Sequence, residues 1–162
     1  MLSDEEKKQE IKDIRSSKVA WIYDDNPWVY RELKPMIEYA NKSWGFNISR
    51  YESIQFTEYE PRGHYTWHND SIQNPMSLKN ITRKLSMVVQ LSKPEKYEGG
   101  GFRFNLRGLD SQVDDNIMSP PPEFKQQGSI IVFPSFLWHK VEPITKGIRH
   151  SLVMWALGEK WK

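Results

Sequence analysis

Lys84-Leu85-Ser86-Met87-Val88-Val89-Gln90-Leu91 is an apolar run of strand length, interrupted inside only by Ser86 and Gln90. A short aliphatic run of this kind reads as a buried strand. The same texture continues on both sides of it. From Ile48 onward the chain shows period-two runs separated by turn residues, the pattern of consecutive strands. Residues 53–59 form one run, Pro61-Arg62-Gly63 turns the chain, and residues 65–70 form the next. Phe102-Arg103-Phe104-Asn105 follows Gly99-Gly100-Gly101, whose glycines read as turn residues. Residues 129–133, 138–141 and 149–157 complete the set.

Upstream the period changes. Trp28, Leu33, Met36, Ile37 and Ala40 stand near helical spacing, which predicts an amphipathic helix over 28–43, ended by Gly45. Pro35 predicts a kink or a new start within it. Val19-Ala20-Trp21-Ile22 reads as a short strand, and Asp24-Asp25-Asn26-Pro27 as a turn that caps the helix. Residues 3–15 read as a polar, charge-laced helix or a frayed arm. One helix followed by about eight short strands predicts an α+β, mainly β chain built as a β-sandwich or jelly-roll barrel. The expected organisation is a polar N-terminal helix or arm at 1–18 and a single domain at 19–162.

With 162 residues, 38% hydrophobic and 27% charged, the chain is long enough to bury a core and too apolar for a disordered one. Aromatic residues make up 13%, seven of them Trp, which favours strands and a ring-lined pocket. A net charge of +2 gives no argument for a nucleic-acid or membrane partner. The absence of Cys excludes disulfides, zinc–thiolate sites and cysteine catalysis, and fits a reducing, cytoplasmic setting. Residues 1–15 are mostly charged, so no secretory signal is expected. No apolar run approaches the ~20 residues that span a bilayer.

The chemistry concentrates in His68-Asn69-Asp70, His139 and Arg149. Side chains alternate along a strand, so His68 and Asp70 point to one side. His139, beyond the Ile130-Ile131-Val132-Phe133 run, supplies a third point. Two imidazoles and a carboxylate with open positions make the facial triad of a non-haem Fe(II) oxygenase. Arg149 with Ser151 suits a dicarboxylate cosubstrate, because a guanidinium pairs bidentately with carboxylate. His64 and His150 have no such company and read as polar surface or satisfied core residues. Residues 71–80 and 106–127 are polar, contain prolines and lack periodicity. They are expected as mobile lids at the mouth of a barrel.

These segments, taken in order, resemble a known family. Tyr59-x5-Tyr65-x2-His68-x-Asp70, Arg83-Lys84-Leu85-Ser86 and Tyr97-Glu98-Gly99-Gly100 come first. Gly128-Ser129-Ile130-Ile131-Val132-Phe133-Pro134-Ser135, His139-Lys140-Val141-Glu142-Pro143 and Arg149-x-Ser151-Leu152 follow. Together they look like the prolyl-4-hydroxylase-like branch of the Fe(II)/2-oxoglutarate oxygenases. The resemblance runs from about Val19 to Gly158.

It implies a double-stranded β-helix, or jelly roll, with one or two N-terminal helices packed on the sheet. It implies Fe(II) on His68, Asp70 and His139, with 2-oxoglutarate and O2 as cosubstrates and ascorbate as a further cofactor. Arg149 would hold the distal carboxylate of 2-oxoglutarate, with Tyr59 and Ser151 beside it. Gln90 either faces the cosubstrate or is an edge or surface residue. Tyr65, Trp67, Arg83 and Trp138 are candidate substrate contacts, the rings among them otherwise core. The implied reaction hydroxylates a C–H bond, most directly of proline in a peptide or protein, and releases succinate and CO2. Other readings are a hydroxylase of a free amino acid or other small molecule, a non-catalytic jelly-roll binding module, and a metal-dependent hydrolase or cupin. The oligomeric state is open.

Overall fold

The computed structural model describes residues 4–23, 27–71, 80–107 and 116–160. In chain order these form α1 (Asp4–Ile14), β1 (Arg15–Ser16), β2 (Lys18–Ile22), α2 (Pro27–Asn41), β3 (Arg50–Tyr51), β4 (Ile54–Tyr59), β5 (His64–His68) and β6 (Ile81–Gln90). Then follow β7 (Tyr97–Gly99), β8 (Phe102–Asn105), β9 (Ile117–Met118), β10 (Ile130–Pro134), β11 (Trp138–Val141), β12 (Ile144–Gly147) and β13 (Arg149–Glu159). The major sheet runs β10-β6-β13-β4-β2, with β3 also paired to β13; the minor sheet runs β1-β5-β11-β8-β9. β12 and β7 make a separate pair. All of these pairings are antiparallel. The architecture is the jelly roll with N-terminal helices that the sequence predicts.

The alternation in β6 explains how the layers assemble. Leu85, Met87 and Val89 join Val29, Tyr30, Leu33 and Ile37 of α2, together with Ile54, Met154 and Ala156, in one core cluster. Ser86 and Val88, on the opposite face, look into the space between the sheets. There Val88 meets Tyr59, Phe102, Phe104, Phe133 and Val141 in a second cluster. Each fully buried aliphatic side chain contributes roughly 1.5–3 kcal/mol, so the four buried residues of α2 hold the helix firmly on the major sheet. Tyr30 adds a polar tie: its hydroxyl donates to the Ile22 carbonyl at 2.9 Å and accepts the Ile54 N–H at 3.2 Å.

Pro35 does not begin a new helix. It lies inside α2 on the solvent side, where the packed stripe of Val29, Leu33 and Ile37 outweighs the lost backbone bond.

Two further expectations are refined. Gly99 ends β7 instead of lying in an isolated turn, and pairs with Ile144 of β12. Its φ is +78°, and a Cβ there would sit 2.4 Å from the Pro143 carbonyl oxygen, so glycine is required. Nor is 106–127 one continuous loop. Its second half returns as β9 alongside β8, Phe124 packs against the inter-sheet cluster, and Gln127 Nε2 donates to the Leu91 carbonyl at 2.9 Å. The rest of the two expected lids, residues 72–79 and 108–115, lies outside the described residues, as does most of the expected turn at 24–27. Among the described residues no helix is long and apolar enough to cross a membrane.

Leu85 is fully buried beneath α2. Leu85→Ala should lower the free energy of unfolding by about 2–5 kcal/mol, the usual cost of a core leucine truncation. Urea denaturation checks this, and a loss well below that range would show that the α2–sheet interface does not carry the stability assigned to it.

Candidate metal centre

β5 and β11 are neighbours in the minor sheet, and His68 lies directly opposite His139 in their register. Between that pair and Tyr65–Val141 the register shifts, three residues of β5 spanning two of β11. Such a bulge resets strand parity. It brings Tyr65 and His68, an odd separation apart, to the same cavity. The chain then leaves β5, and the Asp70 and Ser71 N–H groups both donate to the Ser135 carbonyl, at 2.9 and 3.1 Å. That anchor turns the Asp70 carboxylate back over the two rings.

The result is a compact donor set. Asp70 Oδ1 is 3.7 Å from His68 Nε2, and Oδ2 is 3.7 Å from His139 Nε2. Ligand atoms of all three lie within 4.8 Å of one another. Relative exposures of 6%, 4% and 4% place the three in the interior. Each imidazole is oriented by its own strand. His68 Nδ1 contacts the Thr66 carbonyl at 2.8 Å, and His139 Nδ1 contacts the Leu137 carbonyl at 2.9 Å. A carbonyl only accepts, so Nδ1 carries the proton and Nε2 presents its lone pair to the centre. Two imidazoles and one carboxylate, all aimed inward, are the donors that a divalent transition metal with open positions requires. The residues fit Fe(II).

Asp70 is held by the opposite sheet. Trp155 Nε1 and Ser86 Oγ both donate to its Oδ2, at 2.9 and 2.6 Å. Ser86 is linked in turn to Ser135 Oγ at 2.9 Å. Arg83 lies over the Trp155 ring, its guanidinium carbon 3.7 Å from the ring centre, and is closed by a two-point ion pair with Glu52. Burial alone would raise the Asp70 carboxyl, but His139, His68 and the two hydrogen bonds outweigh it, and the group is held below its ordinary range. Burial, reinforced by His139, pushes His68 down from 6.5 to about 3, so it stays neutral. Rings seal the flanks: Tyr65 stacks on His68 at 3.5 Å between centroids, and Phe102 stacks on His139 at 5.5 Å.

The three donors open onto a cavity of about 200 Å³ between the sheets. Tyr59, Tyr65, Arg83, Arg149 and Ser151 line it. Arg149 is 2% exposed and lies opposite Tyr59 in the β4–β13 register, its guanidinium carbon 5.6 Å from the Tyr59 ring centre. Among the described residues no carboxylate pairs with it. Burial pushes the Tyr59 hydroxyl up, against the opposing charges of Arg15 and Arg149, so it remains a neutral donor.

The other candidates divide. Gln90 pairs with Ser151 across β6 and β13 but does not line the cavity; its amide nitrogen donates to Tyr97 Oη at 2.8 Å, while its Oε1 is buried without a partner. Arg83 lines the cavity with its guanidinium committed to Glu52. Trp67 and Trp138 are not among the lining residues; Trp67 lies under the Lys140 ammonium, 5.0 Å from its ring centre. His64 is bound to the Arg62 and Asp13 carbonyls, and His150 to Glu58, as satisfied polar residues. Sequence reasoning missed Trp155, Gln55, Trp21 and Arg15, all of which line the cavity. Trp155 shares strand parity with Arg149 and Ser151, and that signal was available.

The model of the 2OG-Fe(II) oxygenase superfamily matches residues 54–157. A PKHD-type hydroxylase of Janthinobacterium sp. (strain Marseille) is 35% identical over 109 residues, which cover 66% of this chain and 44% of that protein. The chain thus spans less than half the length of this curated relative. Among solved structures, the Trichoplax adhaerens prolyl hydroxylase in complex with a hypoxia inducible factor oxygen degradation domain peptide fragment superposes with a TM-score of 0.66. Identity is 18%, over 88% of this chain and 63% of that one. The viral collagen prolyl hydroxylase of Paramecium Bursaria Chlorella virus-1, in its 2OG complex, gives 0.61 at 21% identity, over 97% and 92%. At these identities the likeness is one of fold.

The neutral His68 sets a pH dependence. Its folded pKa lies below its unfolded value of 6.5, so the folded state takes up its proton later, and stability is lost as pH falls from 6.5 toward 3. The slope is at most about 1.4 kcal/mol per pH unit for one proton. Urea denaturation of the metal-free protein at pH 7.5 and pH 5.5 should show this loss in the wild type and a smaller one in His68→Gln. Equal losses in the two proteins would contradict the assignment.

Proposed function

The chain belongs to the 2OG-Fe(II) oxygenase superfamily, and from that membership we propose that it is an Fe(II)- and 2-oxoglutarate-dependent dioxygenase that hydroxylates proline in a peptide or protein. One observation carries the reading: a buried Arg149 without a carboxylate partner among the described residues shares a cavity with the His68–Asp70–His139 donor set. A guanidinium removed from water is costly unless an anion meets it. The distal carboxylate of 2-oxoglutarate is such an anion. The proposed organisation is a polar N-terminal helix or arm at 1–18 and one oxygenase domain at 19–162.

His68, Asp70 and His139 would hold the iron. Bound there with 2-oxoglutarate and O2, iron supplies oxidative decarboxylation of the cosubstrate to succinate and CO2, coupled to hydroxylation of a C–H bond. The protein's part is orientation, charge and exclusion of water. The Thr66 and Leu137 carbonyls fix the ring planes and keep the protons on Nδ1. Trp155 and Ser86 keep Asp70 ionised and fixed in direction. Arg149 pairs with the distal carboxylate as a fork. Tyr59, held neutral, donates to the same carboxylate, and Ser151 lies one inward position further along β13. Tyr65, Phe102 and Phe133 exclude water from the reacting centre. A peptidyl substrate is supported by the relatives: the solved Trichoplax adhaerens enzyme is a prolyl hydroxylase holding a peptide fragment.

Incubation with Fe(II), 2-oxoglutarate and O2 should yield succinate, and mass spectrometry of proline-containing peptides should show addition of one oxygen. Arg149→Ala should weaken 2-oxoglutarate binding by roughly 100-fold or more, the scale of removing one partner of a buried charge pair, with metal affinity near that of the wild type. Wild-type affinity for 2-oxoglutarate in that variant would remove Arg149 from the site.

A further inference from the structure

Arg15 belongs to the polar arm by sequence, yet it reaches the cavity. It lies in β1, at the edge of the minor sheet, opposite Tyr65. Three residues later the chain enters the major sheet, where Lys18 pairs with Glu58, the neighbour of Tyr59. Arg15 therefore stands where the two sheets meet, on the side that carries Tyr59 and Arg149. Its guanidinium carbon is 4.7 Å from the centre of the Tyr65 ring, and its Nε donates to Ser17 Oγ at 2.8 Å. Its Nη2 is buried and has no hydrogen-bond partner. An orphaned guanidinium nitrogen out of water is expensive and marks a place for an acceptor.

The cavity is lined by three arginines, and Asp70 is the one carboxylate among its described lining residues. Arg83 is satisfied by Glu52, and Asp70 already accepts from Trp155 and Ser86. Arg15 and Arg149 remain without a carboxylate among the described residues. Both bear on one hydroxyl: against its burial, Tyr59 is pulled down by the charges of Arg15 and Arg149 and by a hydrogen bond from Arg15. Two cations about one hydroxyl would repel each other without an anion between them. A carboxylate offers about four lone-pair sites, enough for a guanidinium fork, a second guanidinium and a phenol together.

We propose that Arg15 is a second ligand for the distal carboxylate of 2-oxoglutarate, acting with Arg149 on either side of the Tyr59 hydroxyl. This rests on the oxygenase reading above and adds to it a cosubstrate contact from outside the segment matched by the family. A carboxylate of the substrate is the other source of the same chemistry, and cosubstrate binding without substrate separates the two.

The test is calorimetric titration of the Mn(II)-loaded full chain, without substrate, using 2-oxoglutarate and then 2-oxopentanoate, which keeps the oxo-acid end and replaces the distal carboxylate by a methyl group. Wild type, Arg15→Gln, Arg15→Lys and Arg149→Gln are compared. Arg15→Gln should weaken 2-oxoglutarate by at least about 10-fold, as expected for a charge-assisted hydrogen bond. It should leave Mn(II) and 2-oxopentanoate affinities unchanged, and Arg15→Lys should recover part of the loss. If Arg149→Gln loses 2-oxoglutarate while Arg15→Gln keeps it, the proposal is overturned, the substrate becomes the remaining source of a carboxylate, and the enzyme reading stands. Equal weakening of both ligands by Arg15→Gln also overturns it, assigning Arg15 to cavity shape. If the wild type binds no 2-oxoglutarate, the oxygenase reading itself fails.

Discussion

The Asp70 carboxylate ties the two sheets together. It follows β5 of the minor sheet, and its Oδ2 accepts from Trp155 of β13 and Ser86 of β6, both in the major sheet. A buried carboxylate without donors would take up a proton or refuse burial. These two hydrogen bonds offset that cost and also set its direction toward His68 and His139. The same arrangement explains why Ser86 interrupts an otherwise aliphatic strand and why a tryptophan takes the fourth inward-facing position of β13. Arg83 and Glu52 extend the network outward by pinning the Trp155 ring.

Charge organises the rest of the cavity. His68 is kept neutral by burial and by the neighbouring His139, against the pull of the Thr66 carbonyl, and each ring turns its Nε2 to the centre because its Nδ1 faces a carbonyl. The arginines cannot be neutralised in this way, because guanidinium stays protonated in proteins. A buried arginine therefore needs an anion, and the fold supplies one to Arg83 alone among the three that line the cavity. Arg149 lies on β13 of the major sheet and the metal donors on β5, on β11 and just past β5 on the minor sheet, and both line one cavity between the sheets. A small dicarboxylate whose other end reaches a metal satisfies both.

Much of this was legible in the sequence because strand alternation is a local rule. Period two places Arg149 and Ser151 on one face before any coordinates are known, whereas Asp70 lies past the end of β5 and is directed by its bond to the Ser135 carbonyl instead of by the expected alternation. The β5 bulge was not legible: whether Tyr65 shares the face of His68 depends on a register with β11, seventy residues away in the chain. Arg15 escaped for the same reason, since its two-residue strand is defined by pairing with Tyr65 and not by its own pattern. β7, β9 and β12 are likewise short strands that exist only through partners. Pro35 lies within α2 without starting a new helix, because the packing of α2 on the sheet outweighs local helix propensity. Residues 116–127 were overread as lid because a polar, proline-rich stretch hides the one phenylalanine that anchors it.

The central claim is that His68, Asp70 and His139 form a single metal site. Anaerobic calorimetric titration of Fe(II) into the wild type and into Asp70→Ala, with circular dichroism to confirm that both are folded, tests it most directly. The account predicts one Fe(II) per wild-type chain and its loss in the variant; undiminished Fe(II) binding by folded Asp70→Ala would contradict it.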